Sequence, residues 1–320
     1  TFRQAINKLN EIDFNSSKEH HVFNAIYEDI LQGLATKKDT GEFYTPRAVT
    51  QFIIDMVNPQ LGEKIIDPAC GTAGFLVCAI EHLHQQVKNV ADRKMLQETI
   101  TGSELKPLPY MLSVVNLITH DIEIPQIENM DALSREYTSI KQKDRVDIIV
   151  ANPPFGGVVG DGMETNFPLS YRTKESADLF LLLFIQLLKE GGRAGIVLPD
   201  GSLTGEGVKA RVRQKLLEDC NVHTIVRLPQ SVFAPYATVN TNLIFFEKGK
   251  KTKDIWYYEH TLPEGAKAYN KTKPIRIEEF EPLKKWWKKR TESEISWKVS
   301  MDIIIERGYD LDIKNPNKKV

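Results

Sequence analysis

Asn152-Pro153-Pro154-Phe155 is the stretch of this chain richest in chemical content. Two prolines fix the backbone and remove two donors. The Asn152 side-chain carbonyl and the Pro153 carbonyl can then face one amino group together as acceptors. An aromatic or amide NH2 is a poor nucleophile because its lone pair is delocalised. Holding both of its N–H bonds favours a more tetrahedral nitrogen with an available lone pair. A methyl group carried on a sulfonium and placed in line completes such a site. Positive charge developing on the nitrogen is met by the two oxygens. Phe155 offers a face to a planar substrate. The competing reading is a rigid turn with a buried Phe.

A second loop lies upstream, Asp67-Pro68-Ala69-Cys70-Gly71-Thr72-Ala73-Gly74-Phe75. Gly71, Ala73 and Gly74 let a ligand approach the backbone closely. The loop lacks the Lys-Ser/Thr ending of a phosphate loop, so a nucleotide triphosphate is not indicated. Asp67 can accept a hydrogen bond from a ligand ammonium, and the helix N-terminus that follows favours a carboxylate. An amino-acid headgroup, such as the methionine part of S-adenosylmethionine, satisfies both. The competing reading is a tight turn that packs helix on strand. Glu104, at the end of the next strand, can bind two ribose hydroxyls; the alternative is a surface carboxylate. Asp131 follows a third strand and can accept from an adenine amino group, or it can cap a helix. A base inside a duplex must be flipped out to reach such a pocket. Phe233 and Tyr236 are candidates for a second stacking face; core packing or a loop anchor are their alternatives.

These loops need a frame. Short apolar runs read as strands at Lys64–Asp67, Thr99–Glu104, Ile124–Asn129, Val146–Ala151, Arg193–Leu198, Val222–Leu228 and Asn242–Glu247. Helical patterns separate them at Phe75–Val87, Pro107–Thr119, Glu175–Glu190 and Gly205–Asp219. A further helix is expected to begin at Pro46 in its first turn and to carry Val49, Phe52, Ile53, Met56 and Val57. Alternation of this kind gives an α/β fold, a doubly wound and mostly parallel sheet with helices on both faces. Ligands then lie beyond the carboxyl ends of the strands, where the loops after Asp67, Glu104, Asn129 and Ala151 all fall.

The chain has 320 residues, 41% hydrophobic and 27% charged, ordinary values for a soluble globular protein. No apolar run reaches membrane-spanning length. Cys70, Cys78 and Cys220 have neither metal-ligand spacing nor the look of a disulfide framework, which suits a reducing cytoplasm. The chain starts at Thr1 without Met, and its first residues look helical, so a fragment lacking an upstream domain is expected. The formal charge of −1 is not that of a self-sufficient DNA binder. From Lys248 onward, however, 18 Lys+Arg face 12 Asp+Glu. Lys284, Lys285, Lys288, Lys289 and Arg290 surround Trp286 and Trp287. That cluster reads either as a solvated helix face with the tryptophans packed inward or as a phosphate-contacting patch.

At these residues the chain resembles the N6-adenine DNA methyltransferases of the gamma motif order, and more narrowly the modification (M) subunit of type I restriction–modification systems. Gly41-Glu42-Phe43-Tyr44-Thr45-Pro46-Arg47 matches the family's first cofactor motif. Asp67–Phe75 matches the second, with Ala73 where many members carry Gly, and Asn152–Phe155 matches the catalytic motif. Ser176-Ala177-Asp178-Leu179-Phe180, Gly191–Pro199 and the tail Arg307–Pro316 are also similar. The resemblance implies a seven-stranded S-adenosylmethionine-dependent sheet with an antiparallel last strand. It implies methylation of adenine N6 in double-stranded DNA. Two M subunits would join one specificity subunit, and a restriction subunit can add to the complex. The implied catalytic residues are Asn152, Pro153, Pro154 and Phe155. The implied cofactor residues are Tyr44, Thr45, Pro46, Asp67, Ala69, Gly71, Thr72, Gly74, Phe75, Glu104 and Asp131. Residues 1–40 then read as the remnant of an N-terminal helical domain, 41–250 as the catalytic domain and 251–320 as an accessory segment.

Rival chemistries fit less well. Cytosine C5 methylation needs a Cys nucleophile, usually after a Pro, and none of the three cysteines follows one. Cytosine N4 enzymes more often carry Ser before Pro-Pro. Protein glutamine methyltransferases share Asn-Pro-Pro-aromatic but usually lack the upstream Phe-Tyr-Thr-Pro. A stand-alone type II or IIG methyltransferase needs its own target-recognition domain. A non-catalytic scaffold leaves the intact Asn152–Phe155 motif unexplained.

Overall fold

The structure, a computed structural model, describes residues 45–155, 157–234, 239–270 and 272–317. The expectations for residues 1–40, Tyr44 and Tyr236 lie outside the described residues. One nine-stranded sheet runs through the molecule in the order β3-β2-β1-β4-β5-β7-β6-β8-β9. Its strands are β1 (Ile65–Asp67), β2 (Ile100–Ser103), β3 (Gln126–Glu128), β4 (Val146–Ala151), β5 (Leu188–Pro199), β6 (Cys220–Arg227), β7 (Thr241–Lys248), β8 (Asp254–Glu259) and β9 (Ser296–Ser300). β1 to β5 pair in parallel. β7 lies antiparallel between β5 and β6, β8 is parallel to β6, and β9 is antiparallel to β8.

The expected count of seven strands is therefore corrected to nine. The added pair, β8 and β9, comes from the segment after Lys248, where Pro and Lys obscure the apolar runs. Alternate residues on each inner strand face opposite layers, as the pleat requires. Ile148 and Val150 of β4, Val197 of β5, and Leu243 and Phe245 of β7 enter one core. Ile149 and Ala151, Ala194, Ile196 and Leu198, and Ile244 and Phe246 enter the other.

The first core is roofed by α1 (Arg47–Val57), α2 (Gly74–His84) and the buried edge of α4 (Pro107–Thr119). The second is roofed by α5 (Ser176–Leu187) and α7 (Val208–Asp219). α5 is apolar on all sides, and all of its residues except Gln186 are buried. Short helices α3 (Val90–Gln97), α6 (Asp200–Leu203), α8 (Glu281–Lys288) and α9 (Met301–Glu306) complete the described α-helices. Sequence patterning missed α3, since Leu96 is its one buried residue and its Asn89 cap carries the signal instead. Pro46 occupies the N-cap of α1, one step before the first turn expected for it.

The chain passes from β1 outward through β2 to β3, then returns to β4 on the other side of β1. The loops leaving β1 and β4 therefore diverge at a switch point, which opens a crevice between them. α1 is drawn onto the sheet because β5 carries Gly195, where a Cβ would meet Ile53 Cγ2 at 2.7 Å. That close approach sets Thr45, just ahead of α1, beside the end of β4.

Candidate active site

Asp67 ends β1 with its side chain almost wholly covered, 1% exposed. Its Oδ1 accepts from the Ala69 N–H at 3.0 Å and closes the first turn of the loop. Burial, with a contribution from the nearby Glu104 charge, pushes its carboxyl up to about 8. The Cys70 N–H reaches back to the Ser103 carbonyl of β2 at 3.0 Å. The Cys70 thiol is buried and held well above its usual range by burial and by Asp67 and Glu104. It is poorly suited to act as a nucleophile. Ala73 stands in the left-handed region at φ 68° as the cap of α2. The Asn116 amide of α4 donates to the Thr72 carbonyl at 2.8 Å, fixing the loop from outside.

Glu104 ties the two loops together. One carboxylate oxygen accepts from the Gly71 N–H at 2.9 Å, the other from the Lys106 N–H at 2.8 Å. Asp131 accepts from the Leu133 N–H at 2.9 Å and caps a single 3-10 turn, Ala132–Ser134.

After β4 the chain turns through Asn152–Phe155. The Asn152 Nδ2 donates to Thr45 Oγ1 at 2.8 Å. Its Oδ1 is buried and has no hydrogen-bond partner among the described residues. Ser176 Oγ, at the start of α5, donates to the Pro154 carbonyl at 3.3 Å. Gly157 packs so closely there that a Cβ would meet Ser176 Oγ at 2.9 Å. Phe155 lies edge-on to Phe233, ring centroids 6.2 Å apart. Phe233 is fully buried and backs Phe155, the core-packing reading of the two that its sequence allowed.

A cavity of about 270 Å³ gathers these pieces. Ala69, Gly71, Glu104, Asp131, Asn152 and Pro154 line it, residues from four separate loops. Its remaining wall includes Leu105, Met130, Val158 and Phe180, apolar side chains that sequence reasoning did not single out. No sequence signal marks them; in the structure they stand out as exposed apolar side chains, Leu105 at 58% and Val158 at 70%. Other expected residues do not line the cavity. Asp67 lies behind the loop, Phe75 is in the core, and Gly74 begins α2. Thr72 is held through its carbonyl by Asn116, Pro46 caps α1, and Thr45 acts on Asn152. Among the described residues no group of three or more His, Cys, Asp and Glu could hold a metal ion.

A family model described as N-6 DNA Methylase matches residues 18–320. The type I restriction enzyme EcoEI methylase subunit of Escherichia coli is 52% identical over 98% of this chain and 66% of its own length. The chain thus spans just under two thirds of that relative. A crystal structure of a modification subunit assigned to a type I restriction enzyme of Vibrio vulnificus YJ016 superposes with a TM-score of 0.93 at 45% identity. The match covers 99% of this chain and 69% of that one. A structure from Listeria monocytogenes, assigned as a class I S-adenosylmethionine-dependent methyltransferase, shares the fold at 18% identity. It superposes with a TM-score of 0.63 over 88% of this chain and 81% of that one.

Proposed function

The chain belongs to the N-6 DNA methylase family, and on that premise we propose that it transfers a methyl group from S-adenosylmethionine to N6 of adenine in DNA, as the modification subunit of a type I restriction–modification assembly. The observation that carries this reading is the buried, unpartnered Oδ1 of Asn152 at the wall of the cavity. A buried acceptor left empty costs about 1–3 kcal/mol, so the site calls for a hydrogen-bond donor. An exocyclic amino group brought into the cavity supplies it.

The residues divide the work. Glu104 and Asp131 keep lone pairs for hydroxyl and amino donors, because each carboxylate oxygen can accept more than one bond. Leu105, Met130, Val158 and Phe180 offer apolar walls to a purine face. That set fits an adenosine-bearing cofactor. When bound, S-adenosylmethionine supplies an electrophilic methyl group. Asn152 Oδ1 accepts one N–H of the target amino group, and the Pro153 carbonyl takes the other. Thr45 tethers the Asn152 amide beside the cavity through a 2.8 Å hydrogen bond. Ser176 holds the Pro154 carbonyl and with it the turn. Phe155 supports the flipped base from the side, with Phe233 behind it. A near-neutral chain suits a subunit whose base recognition lies elsewhere, so a specificity subunit and a second copy of this chain complete the assembly. Among the described residues no helix is long and apolar enough to cross a membrane, and a cytoplasmic setting is part of the proposal.

Two measurements test it. Calorimetric titration with S-adenosylmethionine should show saturable binding. In an assembly rebuilt with a specificity subunit, Asn152→Ala should abolish adenine methylation while that binding persists. Methylation unchanged by Asn152→Ala would overturn the assignment.

A further inference from the structure

A second cavity, of about 590 Å³, opens on the opposite edge of the sheet. It is lined by Lys250, Lys251, Lys253, Arg290, His223 and Trp256, among others. The histidine, tryptophan and lysines lie at the amino ends of β6 and β8 and in the turn between β7 and β8, and Arg290 follows α8. The adenine pocket lies at the carboxyl ends of β1 and β4. Four strand positions separate β4 from β8, roughly 19 Å at the usual spacing.

The tryptophans of α8 are packed inward, the plainer of the two readings that their sequence allows. Trp287 sits against Phe52 and Phe245, and Trp286 against Trp256 and Tyr258. They nevertheless build a platform. The Arg290 guanidinium lies over both indoles, 4.9 Å from Trp287 and 5.7 Å from Trp286. Its Nη1 donates to the His223 carbonyl at 3.0 Å. Arg290 has no carboxylate partner among the described residues. The carboxylates on the flanking strands are already paired: Glu247 with Lys250 at 3.2 Å, Asp254 with Lys298 at 2.9 Å. Lys251, Lys253, Lys288 and Lys289 are exposed and form no ion pair among the described residues. A fixed, half-buried guanidinium in a cavity that the free Lys251 and Lys253 also line, with the exposed Lys288 and Lys289 just before it in the chain, is an anion site.

Charge alone does not say which anion, but the surface does. A protein partner would need an apolar centre to dock on. Among the described residues, none of the exposed large hydrophobic ones falls between Lys248 and Ser300. Point charges without an apolar centre match a sugar–phosphate backbone, which carries a negative charge about every 1.7 Å of helix axis.

We propose that Arg290, Lys250, Lys251, Lys253, Lys288 and Lys289 form a phosphate-binding surface for double-stranded DNA outside the target site. The inference rests on DNA being the substrate and adds a point of attachment far from the methylated base. It is tested on the full chain by fluorescence anisotropy with a labelled non-specific duplex across a salt series. Reversal of Lys251 and Lys253 to Glu, and separately of Lys288 and Lys289 to Glu, should weaken binding roughly tenfold. Each pair should also flatten the log–log salt slope by about one to two units, near 0.9 for each phosphate that is no longer neutralised. The same charge change at Lys88 and Lys94 should leave the slope intact. An unchanged slope in both reversed pairs would overturn the proposal and point to an acidic protein partner. So would a wild-type chain that binds no duplex at low salt. Calorimetric binding of S-adenosylmethionine, read on the same variants, reports on the methyltransferase reading independently.

Discussion

Asn152 and Thr45, 107 residues apart in sequence, are joined by a 2.8 Å hydrogen bond from the Asn152 amide nitrogen to the Thr45 hydroxyl. With the amide nitrogen turned to Thr45, the amide oxygen is buried and has no partner among the described residues. One residue of the upstream motif thereby tethers the side chain of Asn152 in the Asn-Pro-Pro-Phe turn. Thr45→Val should free the amide to rotate. In the assembled enzyme the methylation rate should fall roughly 10- to 100-fold, while affinity for S-adenosylmethionine changes less than about threefold. Thr45→Ser keeps the hydroxyl and should restore most of the rate. Equal losses of rate and cofactor affinity in Thr45→Val would place Thr45 in cofactor binding instead.

Removing the acceptor itself is harsher. Asn152→Ala should lower the methylation rate by about 10² to 10³ or more, the scale of losing one preorganised group at developing charge. Asn152→Asp retains an oxygen in the cavity, and the Thr45 hydroxyl can turn to donate to the carboxylate, so it should lose less than Asn152→Ala. Single-turnover measurement separates these rates from product release.

Asp67 predicts a pH dependence. Burial raises its carboxyl from 3.8 to about 8 in the folded chain, so folding favours the protonated form. Its contribution to stability is complete below about 3.8 and is lost as pH rises through about 8. Glu63 and Asp147 act oppositely. Their pairing with Arg193 and Lys189 lowers their values below 4.5 and 3.8, despite some burial, so their contribution is lost only in acid. The ligand-free chain should therefore lose roughly a few degrees of thermal midpoint between about pH 5 and pH 8 that Asp67→Asn does not lose. Parallel curves for the two proteins across that range would show that Asp67 titrates normally.

Most of the sheet was legible because β1, β2, β4, β5, β6 and β7 are buried, and burial writes itself as apolar runs. The carboxyl edge of the parallel strands then located the cavity, and the strand order, which the sequence did not reveal, places it at the switch point between β1 and β4. β9 was not legible, since its pairing with β8 spans a long Pro- and Lys-rich segment and owes little to local pattern. Within the site, chemistry-bearing residues such as Glu104 and Asn152 stood out by type. The Asn116 brace did not, because an amide on a buried helix face has no characteristic spacing. Phe233 stayed open between stacking face and core packing, because a loop aromatic looks the same in sequence whether it meets ligand or core.

Ala73 holds a conformation that suits glycine. Its φ of 68° costs an L-residue about 1–2 kcal/mol, yet its methyl group is fully buried and contributes about 0.8 kcal/mol. Ala73→Gly removes both and also loosens the unfolded chain. The net change should lie within about 1 kcal/mol of zero. Ala79→Gly, in the interior of α2 and equally buried, relieves no strain and should cost about 2 kcal/mol. Denaturant melts of the two variants compare them directly, and equal losses would mean that Ala73 is unstrained.

Gly157 and Ser176 should be energetically coupled. A Cβ at Gly157 would lie 2.9 Å from Ser176 Oγ and 3.7 Å from Ser176 Cβ, so the clash is with the hydroxyl alone. Gly157→Ala should cost about 1–3 kcal/mol by overpacking. It should also displace the hydroxyl from the Pro154 carbonyl, slowing methylation at constant cofactor affinity. Ser176→Ala removes the clashing atom and also the 3.3 Å bond that steadies the turn. Alone it should cost about 1 kcal/mol. The double variant should then be more stable than the sum of the singles by about 1 kcal/mol or more, since the second substitution relieves what the first creates. Strict additivity in the cycle would show that Gly157 is required for its backbone and not for the space that it leaves to Ser176.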